Sequence, residues 1–182
     1  MADTSVDFQS KLAEHRPWLL RQARWRLGAR SAAAEDVVQE TLVAAWSGAE
    51  RLRGEVTRGW LAGILRHKVV DHWRRTPPDE VDPCPACGED LFDGTGHWRE
   101  PVASWGNPEE ALHAEGFWKV LEICARILPE RMYRVFVLRE VEEMDVSGIC
   151  RELSLSESNC HVLLHRARLR LRGCVGERWG RN

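Results

Sequence analysis

Apolar residues recur at every third or fourth position along most of this 182-residue chain, which is the spacing of one helical face. Gly28 is placed to end a first helix, and Ser31 is placed to cap a second. Pro17 lies inside the first helix, where we expect a kink or a break. Because strict period-two alternation is scarce, no sheet is expected. The pattern predicts helices over residues 8–27, 32–46, 60–74, 108–128 and 129–138.

Residues 145–172 predict two short helices joined by a tight turn. Ser156 can cap the second of these helices, from which four arginines project. A short helix, a turn and a longer basic helix are typical of a helix-turn-helix, whose second helix enters the major groove of DNA. Taken alone, the stretch also fits an amphipathic hairpin whose arginines form only a solvated face. The inward positions predicted for the second helix are Cys160, Leu163, Leu164, Ala167 and Leu171.

A segment rich in proline, glycine and acidic residues interrupts the helical pattern at residues 76–107. It is longer than the usual connection within a compact domain. We therefore predict an all-α protein of two small helical domains, residues 8–75 and residues 108–175, joined by a linker over residues 76–107.

Charge is unevenly distributed, although the formal net charge is only −2. Residues 11–75 contain 13 Lys and Arg against 7 Asp and Glu, and residues 145–182 contain 7 Arg against 4 acidic residues. Between these blocks, residues 76–110 contain one Arg against 9 acidic residues. Two basic blocks around an acidic insert indicate nucleic-acid binding by particular elements, which the whole-chain charge conceals.

Several classes of protein are excluded at this point. No apolar run approaches the roughly 18 residues of a membrane span, and the N-terminus lacks the basic-then-apolar order of a signal peptide. We therefore expect a cytoplasmic protein without membrane insertion. We expect no enzyme, because the chain contains no Gly-rich phosphate loop, nucleophile elbow or pattern of paired carboxylates.

Three segments resemble the bacterial RNA polymerase sigma factors. Residues 34–46 are similar to their polymerase-binding helix and read AEDVVQETLVAAW. Residues 60–75 are similar to their minus-ten helix and read WLAGILRHKVVDHWRR. Residues 128–172 resemble their minus-thirty-five domain and read LPERMYRVFVLREVEEMDVSGICRELSLSESNCHVLLHRARLRLR. Two such domains with a linker match the small extracytoplasmic-function group, which implies core RNA polymerase, promoter DNA and an anti-sigma factor as partners.

The resemblance also implies sites. Polymerase binding is expected at one face of the second helix, where i, i+3, i+4 and i+7 spacing aligns Asp36, Gln39, Glu40 and Val43. Minus-ten binding is expected at cations and a histidine in and before the third helix, namely Arg51, Arg53, Arg58, Arg66, Lys68, His72, Arg74 and Arg75. Trp60 and Trp73 fall on the apolar stripe of this helix and are expected in the core.

Minus-thirty-five binding is expected along the second helix of the helix-turn-helix, at Ser156, Ser158, Asn159, His161, His165, Arg166 and Arg168. Asn is suited to adenine and His to guanine or phosphate. The chain departs from the family in two places. Ser154 stands where a turn glycine is usual, and His161 and Leu163 replace a frequent Lys-x-Arg pair, which weakens phosphate contacts.

The chain contains six cysteines, and we predict different roles for different groups of them. Cys124, Cys150 and Cys160 lie on apolar helical faces and are expected to be small buried hydrophobes, since structural disulfides are rare in the cytosol.

Cys84 and Cys87 form a Cys-x-x-Cys pair followed by Gly, with His97 ten residues on, which favours a zinc site. A fourth ligand would come from His113, Cys174 or His67. A redox-active pair, an iron–sulfur site and two inert linker thiols are the alternatives.

The resemblance implies a sigma factor that recruits RNA polymerase to particular promoters. Two alternatives remain open. One is a helix-turn-helix regulator that binds DNA without polymerase and dimerises on a palindrome. The other is a metal- or redox-sensing interaction protein that acts through its linker.

Overall fold

The computed structural model describes residues 2–49, 55–78 and 115–179. The chain divides into two compact units, Met1–Pro77 and Pro78–Asn182. Every regular element in the described residues is helical, which confirms the prediction of an all-α protein with two helical domains. Most of the linker predicted over residues 76–107 lies outside the described residues. None of the described helices is long and apolar enough to cross a bilayer.

The first unit is a bundle in which three helices pack on one another. They are α1 (Ala2–Leu27), α2 (Ala34–Ser47) and α3 (Arg58–Arg75), and a short 3-10 helix (Gly28–Ala33) joins the first two. Each helix places an apolar stripe toward the other two, which removes that surface from water. The fully enclosed side chains include Leu19, Val37, Val38, Leu61, Leu65 and Val69.

The ends of α1 and α2 follow the sequence only in part. Gly28 ends α1 with φ of 56°, as predicted, since this left-handed conformation carries little penalty for glycine. The helix is unbroken at Pro17, which lies on its exposed side. The expected Ser31 cap is wrong. Because the 3-10 turn intervenes, α2 begins at Ala34 after Ala33, with no side-chain cap.

Trp46 lies near the end of α2 and is only partly covered by other side chains. Its side chain is 40% exposed and packs against the ring of Phe8, with ring centroids 5.8 Å apart. Thr41 is buried instead, and its hydroxyl donates to the Val37 carbonyl at 2.7 Å. Because this hydrogen bond lies within one turn of the same helix, the hydroxyl is paired and the polar residue is buried at no cost of an unpaired group.

The second unit is arranged around its last helix. It contains α4 (Glu115–Arg126), α5 (Glu130–Phe136), a π-helical turn (Val137–Val141), α6 (Val146–Leu153) and α7 (Glu157–Trp179). The helices α4, α5 and α6 all pack on α7. The predicted inward positions of α7 are confirmed as buried, from Cys160 to Leu171. Trp179 is the last residue of α7 and contacts Phe117.

Candidate nucleic-acid and partner interfaces

The outward face of α2 presents the four residues expected to bind polymerase. Asp36, Gln39 and Val43 are exposed, and Glu40 is half-buried. Together with Ala44 and Lys68 they line one shallow, open groove. Val43 is 61% exposed, which makes it the most exposed large apolar residue of this helix. The face therefore combines acidic edges with an apolar centre.

A second groove adjoins the first at Val43. Its walls come from α1 and α2 and are mainly apolar, with Leu12, Leu42 and Trp46 among them. The aromatic pair of Trp46 and Phe8 closes one end of α2 against α1. Val43 is the residue shared by both grooves, so the exposed apolar surface of α2 is continuous across it.

Two residues assigned to different sites meet between α2 and α3. The Arg75 guanidinium donates to Glu40 at 2.9 Å, across 35 residues of sequence. Lys68 lies beside the same acidic groove. Two of the five predicted minus-ten cations of α3, Lys68 and Arg75, thus lie on the side of the helix that faces α2.

The other cations of α3 point elsewhere. Arg66 lies two residues before Lys68, which directs the two side chains about 160° apart around the helix. Arg74 is exposed and forms a 3.8 Å ion pair with Asp71. His72 is half-buried near the C-terminal end. The predicted set therefore surrounds the exposed circumference of α3 and does not share one face.

The N-terminal end of α3 is built by local bonds. Thr57 caps the helix, since its hydroxyl accepts from the Trp60 amide at 3.3 Å. The Arg58 guanidinium lies over the Trp18 ring, 5.7 Å from its centroid, where a cation–π attraction holds it. Trp73 is buried as expected, and Trp60 is half-buried. The predicted contacts Arg51 and Arg53 lie outside the described residues.

The first helix of the helix-turn-helix has a tightly formed start. The Asp145 carboxylate caps α6 by accepting from the Gly148 amide at 3.0 Å and from the Ser147 hydroxyl at 2.7 Å. Both bonds lower the pKa of Asp145, and the bond from Ser147 has the larger effect. A Cβ on Gly148 would approach the Asp145 carboxylate within 2.6 Å, so the cap requires glycine there.

The turn between α6 and α7 passes through Ser154 in the left-handed conformation, with φ of 54° and ψ of 46°. This is the position where the family resemblance implies glycine. A side chain in this conformation carries a steric cost, so the departure noted in the sequence is a local strain in the structure. Ser156 then caps α7 by accepting from the Asn159 amide at 3.3 Å, as predicted.

The remaining predicted residues of α7 divide among three strips of its exposed surface. Ser158 and His165 lie on the central strip, at i and i+7. Asn159 and Arg166 flank it on one side, and His161 and Arg168 flank it on the other. Arg166 is half-buried, and the other five are exposed.

Val162 is a residue of this surface that the sequence analysis missed. It lies on the central strip between Ser158 and His165 and is 41% exposed. An apolar side chain at this place suits the methyl group of thymine. Val162 follows Ser158 by four residues, and this spacing places both on one face of the helix. A single valine among polar residues does not by itself indicate a base contact.

Arg168 is held by an acidic residue of the preceding segment. Its guanidinium donates twice to the Glu140 carboxylate, at 2.6 and 3.2 Å. Glu140 belongs to the π-helical turn, which widens the helix after α5. Both side chains are substantially exposed, so the pair is weak and can exchange for a phosphate contact.

The cysteines differ from expectation. Cys124 is buried as predicted, but it forms a disulfide with Cys174. The expected free thiol at Cys124 is therefore wrong, and Cys174 is no longer a candidate for the fourth metal ligand. Cys160 is buried as predicted, and burial, followed by the neighbouring Cys150 thiol, raises its pKa to about 11. Cys150 is half-buried.

The predicted zinc site lies outside the described residues, at Cys84, Cys87 and His97. Within the described ranges, no group of three or more His, Cys, Asp or Glu side chains could hold a metal ion.

Comparison with known proteins gives matches to both units. Residues 12–77 match the family model described as Sigma-70 region 2, and residues 121–171 match the one described as Sigma-70, region 4. A "Probable RNA polymerase sigma factor" of Haemophilus influenzae is 32% identical over 153 residues, 80% of this chain and 78% of that protein.

Two further relatives and one solved structure are similar. RNA polymerase sigma factor YlaC of Bacillus subtilis is 30% identical, over 76% of this chain and 75% of its own. ECF RNA polymerase sigma factor SigD of Mycobacterium tuberculosis is 28% identical, over 86% and 71%. The sigma factor RpoE of Bartonella quintana, solved in complex with the anti-sigma factor NepR, is 21% identical, with a TM-score of 0.46 over 92% of this chain and 96% of that one.

Proposed function

Because the chain belongs to the RNA polymerase sigma factor family, in its extracytoplasmic-function group, we propose which of its surfaces bind core polymerase and which bind promoter DNA. The protein is a transcription initiation factor that directs RNA polymerase to promoters. The observation that carries the assignment of surfaces is the groove on α2, which gathers Asp36, Gln39, Glu40 and Val43.

We propose that core polymerase docks on this groove. Its acidic edge favours a basic partner surface, and the apolar centre at Val43 supplies area that is removed from water on docking. The adjoining apolar groove between α1 and α2 extends the same surface. Charge complementarity would set the orientation, while apolar contact would contribute most of the affinity.

We propose that the promoter is bound by two separate elements. In the first unit, Arg58, Arg66, Lys68, His72, Arg74 and Arg75 contact the minus-ten region, together with Arg51 and Arg53. In the second, the outward strips of α7 read the minus-thirty-five region. Ser158, Asn159, His161 and His165 lie in the N-terminal half of α7, where base edges are read. Ser156 caps the helix, and Arg166 and Arg168 suit backbone phosphates.

The ion pair between Glu40 and Arg75 bears on this scheme. Glu40 belongs to the docking groove, and Arg75 is a proposed DNA contact, yet each engages the other in this structure. The pair is partly exposed and therefore weak. Polymerase docking at Glu40 would leave Arg75 available to phosphate.

The decisive experiment is promoter-specific transcription by the purified chain with core polymerase. A helix-turn-helix regulator acting without polymerase would bind DNA but would not support initiation. Co-purification with core polymerase and sequencing of the bound promoters identifies the sites. A chain that binds neither core polymerase nor promoter fragments would contradict the proposal.

A charge reversal tests the docking face. Asp36→Lys should weaken binding to core polymerase without unfolding the chain, because the side chain is exposed. It is cleaner than Glu40→Lys, which also breaks the ion pair with Arg75. Glu14→Lys makes the same charge change at an exposed position of α1 that lines neither groove. Equal binding by the Asp36 and Glu14 variants would count against the docking face.

We further propose that the protein acts in the cytoplasm, carries out no catalysis of its own and is controlled by an anti-sigma factor. The support is the family, whose members are initiation factors. The zinc site at Cys84, Cys87 and His97 remains a prediction, as does the alternative in which metal or thiol state in the linker acts as the sensor.

A further inference from the structure

The disulfide between Cys124 and Cys174 joins α4 to the last turns of α7. It connects positions 50 residues apart, with their Cα atoms 5.8 Å from each other. Neither cysteine belongs to the docking groove or to the outward strips of α7. We propose that this pair is a reversible thiol–disulfide switch that controls how firmly the end of α7 is held on α4.

The packing around the bond shows what it holds. Trp179, at the end of α7, stands edge-on to the Phe117 ring with centroids 5.6 Å apart. The same indole lies over Gly116, where an added Cβ would come within 3.3 Å of it. The α4–α7 contact therefore has a covalent connection at Cys124–Cys174 and an aromatic one near the chain end.

The end of α7 has little intrinsic helical stability. Gly173 and Gly176 flank the cysteine, and glycine is the weakest helix former after proline. Val175 between them is buried, so this segment depends on tertiary contact to remain helical. Removing the covalent connection leaves the apolar contacts of Val175 and Trp179 to hold it.

The two sulfurs differ in access, which sets the order of the exchange reaction. Cys124 is 1% exposed, whereas Cys174 is half-buried. A thiolate of a dithiol reductant attacks the Cys174 sulfur and forms a mixed disulfide, while Cys124 leaves as a thiolate and takes a proton. The second thiol of the reductant then displaces Cys174, which also ends as a thiol, and the reductant becomes a cyclic disulfide. Oxidised glutathione reverses the two-electron reaction.

Of the other described cysteines, Cys160 is a poor competitor in this exchange. Cys160 is fully buried, and its raised pKa, about 11, keeps the thiol protonated and unreactive. Cys150 is half-buried beside it, on the neighbouring helix α6. The Cys124–Cys174 pair is thus the one with both a formed bond and an accessible sulfur among the described residues.

The size of the closed loop makes the switch effective. Crosslinking residues 50 positions apart in sequence restricts the unfolded chain and shifts the folding equilibrium by roughly a thousandfold. A small helical unit has a small core, so such a shift is a large part of its stability. In the cytoplasm proposed above, disulfides are mostly transient and redox-sensing. If the unit reads promoter DNA, which rests on the proposed function, reduction lowers its occupancy.

Hydrogen exchange followed by mass spectrometry tests the switch on the full chain. The chain carries Cys84→Ser and Cys87→Ser, so that the linker thiols do not contribute, and is equilibrated with oxidised glutathione or with dithiothreitol. We expect a linked peptide pair containing Cys124 and Cys174 in the oxidised form. We expect faster exchange of the amides of α4 and of residues 173–179 in the reduced form, by up to roughly a thousandfold.

Two further variants separate the pair from general redox effects. Cys174→Ser, at the half-buried end, should exchange like the reduced chain in both buffers. Cys150→Ser should show the same difference in amide exchange between the two buffers as the chain that retains Cys150. Equal exchange of the oxidised and reduced chains, or free thiols at both positions in oxidised glutathione, would overturn the proposal. A redox response in exchange without a change in promoter binding supports the switch and counts against the promoter-reading role of this unit.

Discussion

The substitution Val43→Ala tests the proposed docking face at its apolar centre. Val43 is 61% exposed and lines both grooves of α2, so a partner seated there must cover it. Each carbon moved from water into apolar contact contributes roughly 0.8 kcal/mol. Two methyl groups that are 61% exposed before docking therefore account for about 1 kcal/mol.

This loss corresponds to an increase of about fivefold in the Kd for core polymerase. The substitution Val43→Asp should cost more, about tenfold or above, because it places a charge in the apolar contact without a partner. Neither change should unfold the chain, since the side chain is exposed and alanine favours the helix.

Titration calorimetry or fluorescence anisotropy with purified core polymerase, in the absence of DNA, measures the effect. Val162→Ala is the matched control, because Val162 is also an exposed valine on a helix, 41% exposed, on the surface assigned to DNA. Circular dichroism checks that helical content is unchanged. If Val43→Asp binds polymerase as tightly as the unmodified chain, the docking face lies elsewhere and the calculation above does not apply.

Three further outcomes follow from the other sites. Asn159→Ala should relax sequence preference in promoter-binding assays, whereas Arg168→Ala should weaken binding to all sequences and reduce the salt slope by roughly one; equal effects of both on every sequence would argue against base reading by Asn159. Ser154→Gly should raise the free energy of unfolding by roughly 0.5–1 kcal/mol in urea titrations, because glycine adopts the left-handed conformation without the steric cost of a side chain. An unchanged midpoint would show that no strain is stored there. Native mass spectrometry of the reduced chain should detect zinc that is lost on adding chelator and in the double variant Cys84→Ser, Cys87→Ser, and a metal-free spectrum would exclude the linker site.

The sequence alone determined most of the helices and some of their ends. Periodicity located the helices, and the caps at Gly28 and Ser156 follow from residue types whose backbone or side chain satisfies a helix end within a few residues. The buried face of α7 was also predictable, because its apolar residues recur at helical spacing over several turns. Periodicity and caps do not specify a function. The expected functions of the two domains came from the resemblance to the sigma factors.

Contacts between helices needed the tertiary structure. The pairing of Glu40 with Arg75 joins residues 35 positions apart, and the Cys124–Cys174 bond joins residues 50 apart. A cysteine on an apolar face looks the same in sequence whether it is a free buried thiol or half of a disulfide. Helical periodicity specifies which side of a helix is apolar, but the rotation of one helix against another depends on how all the side chains between them pack. That packing turned Lys68 toward α2, left Trp46 at the surface, and brought Cys174 to Cys124.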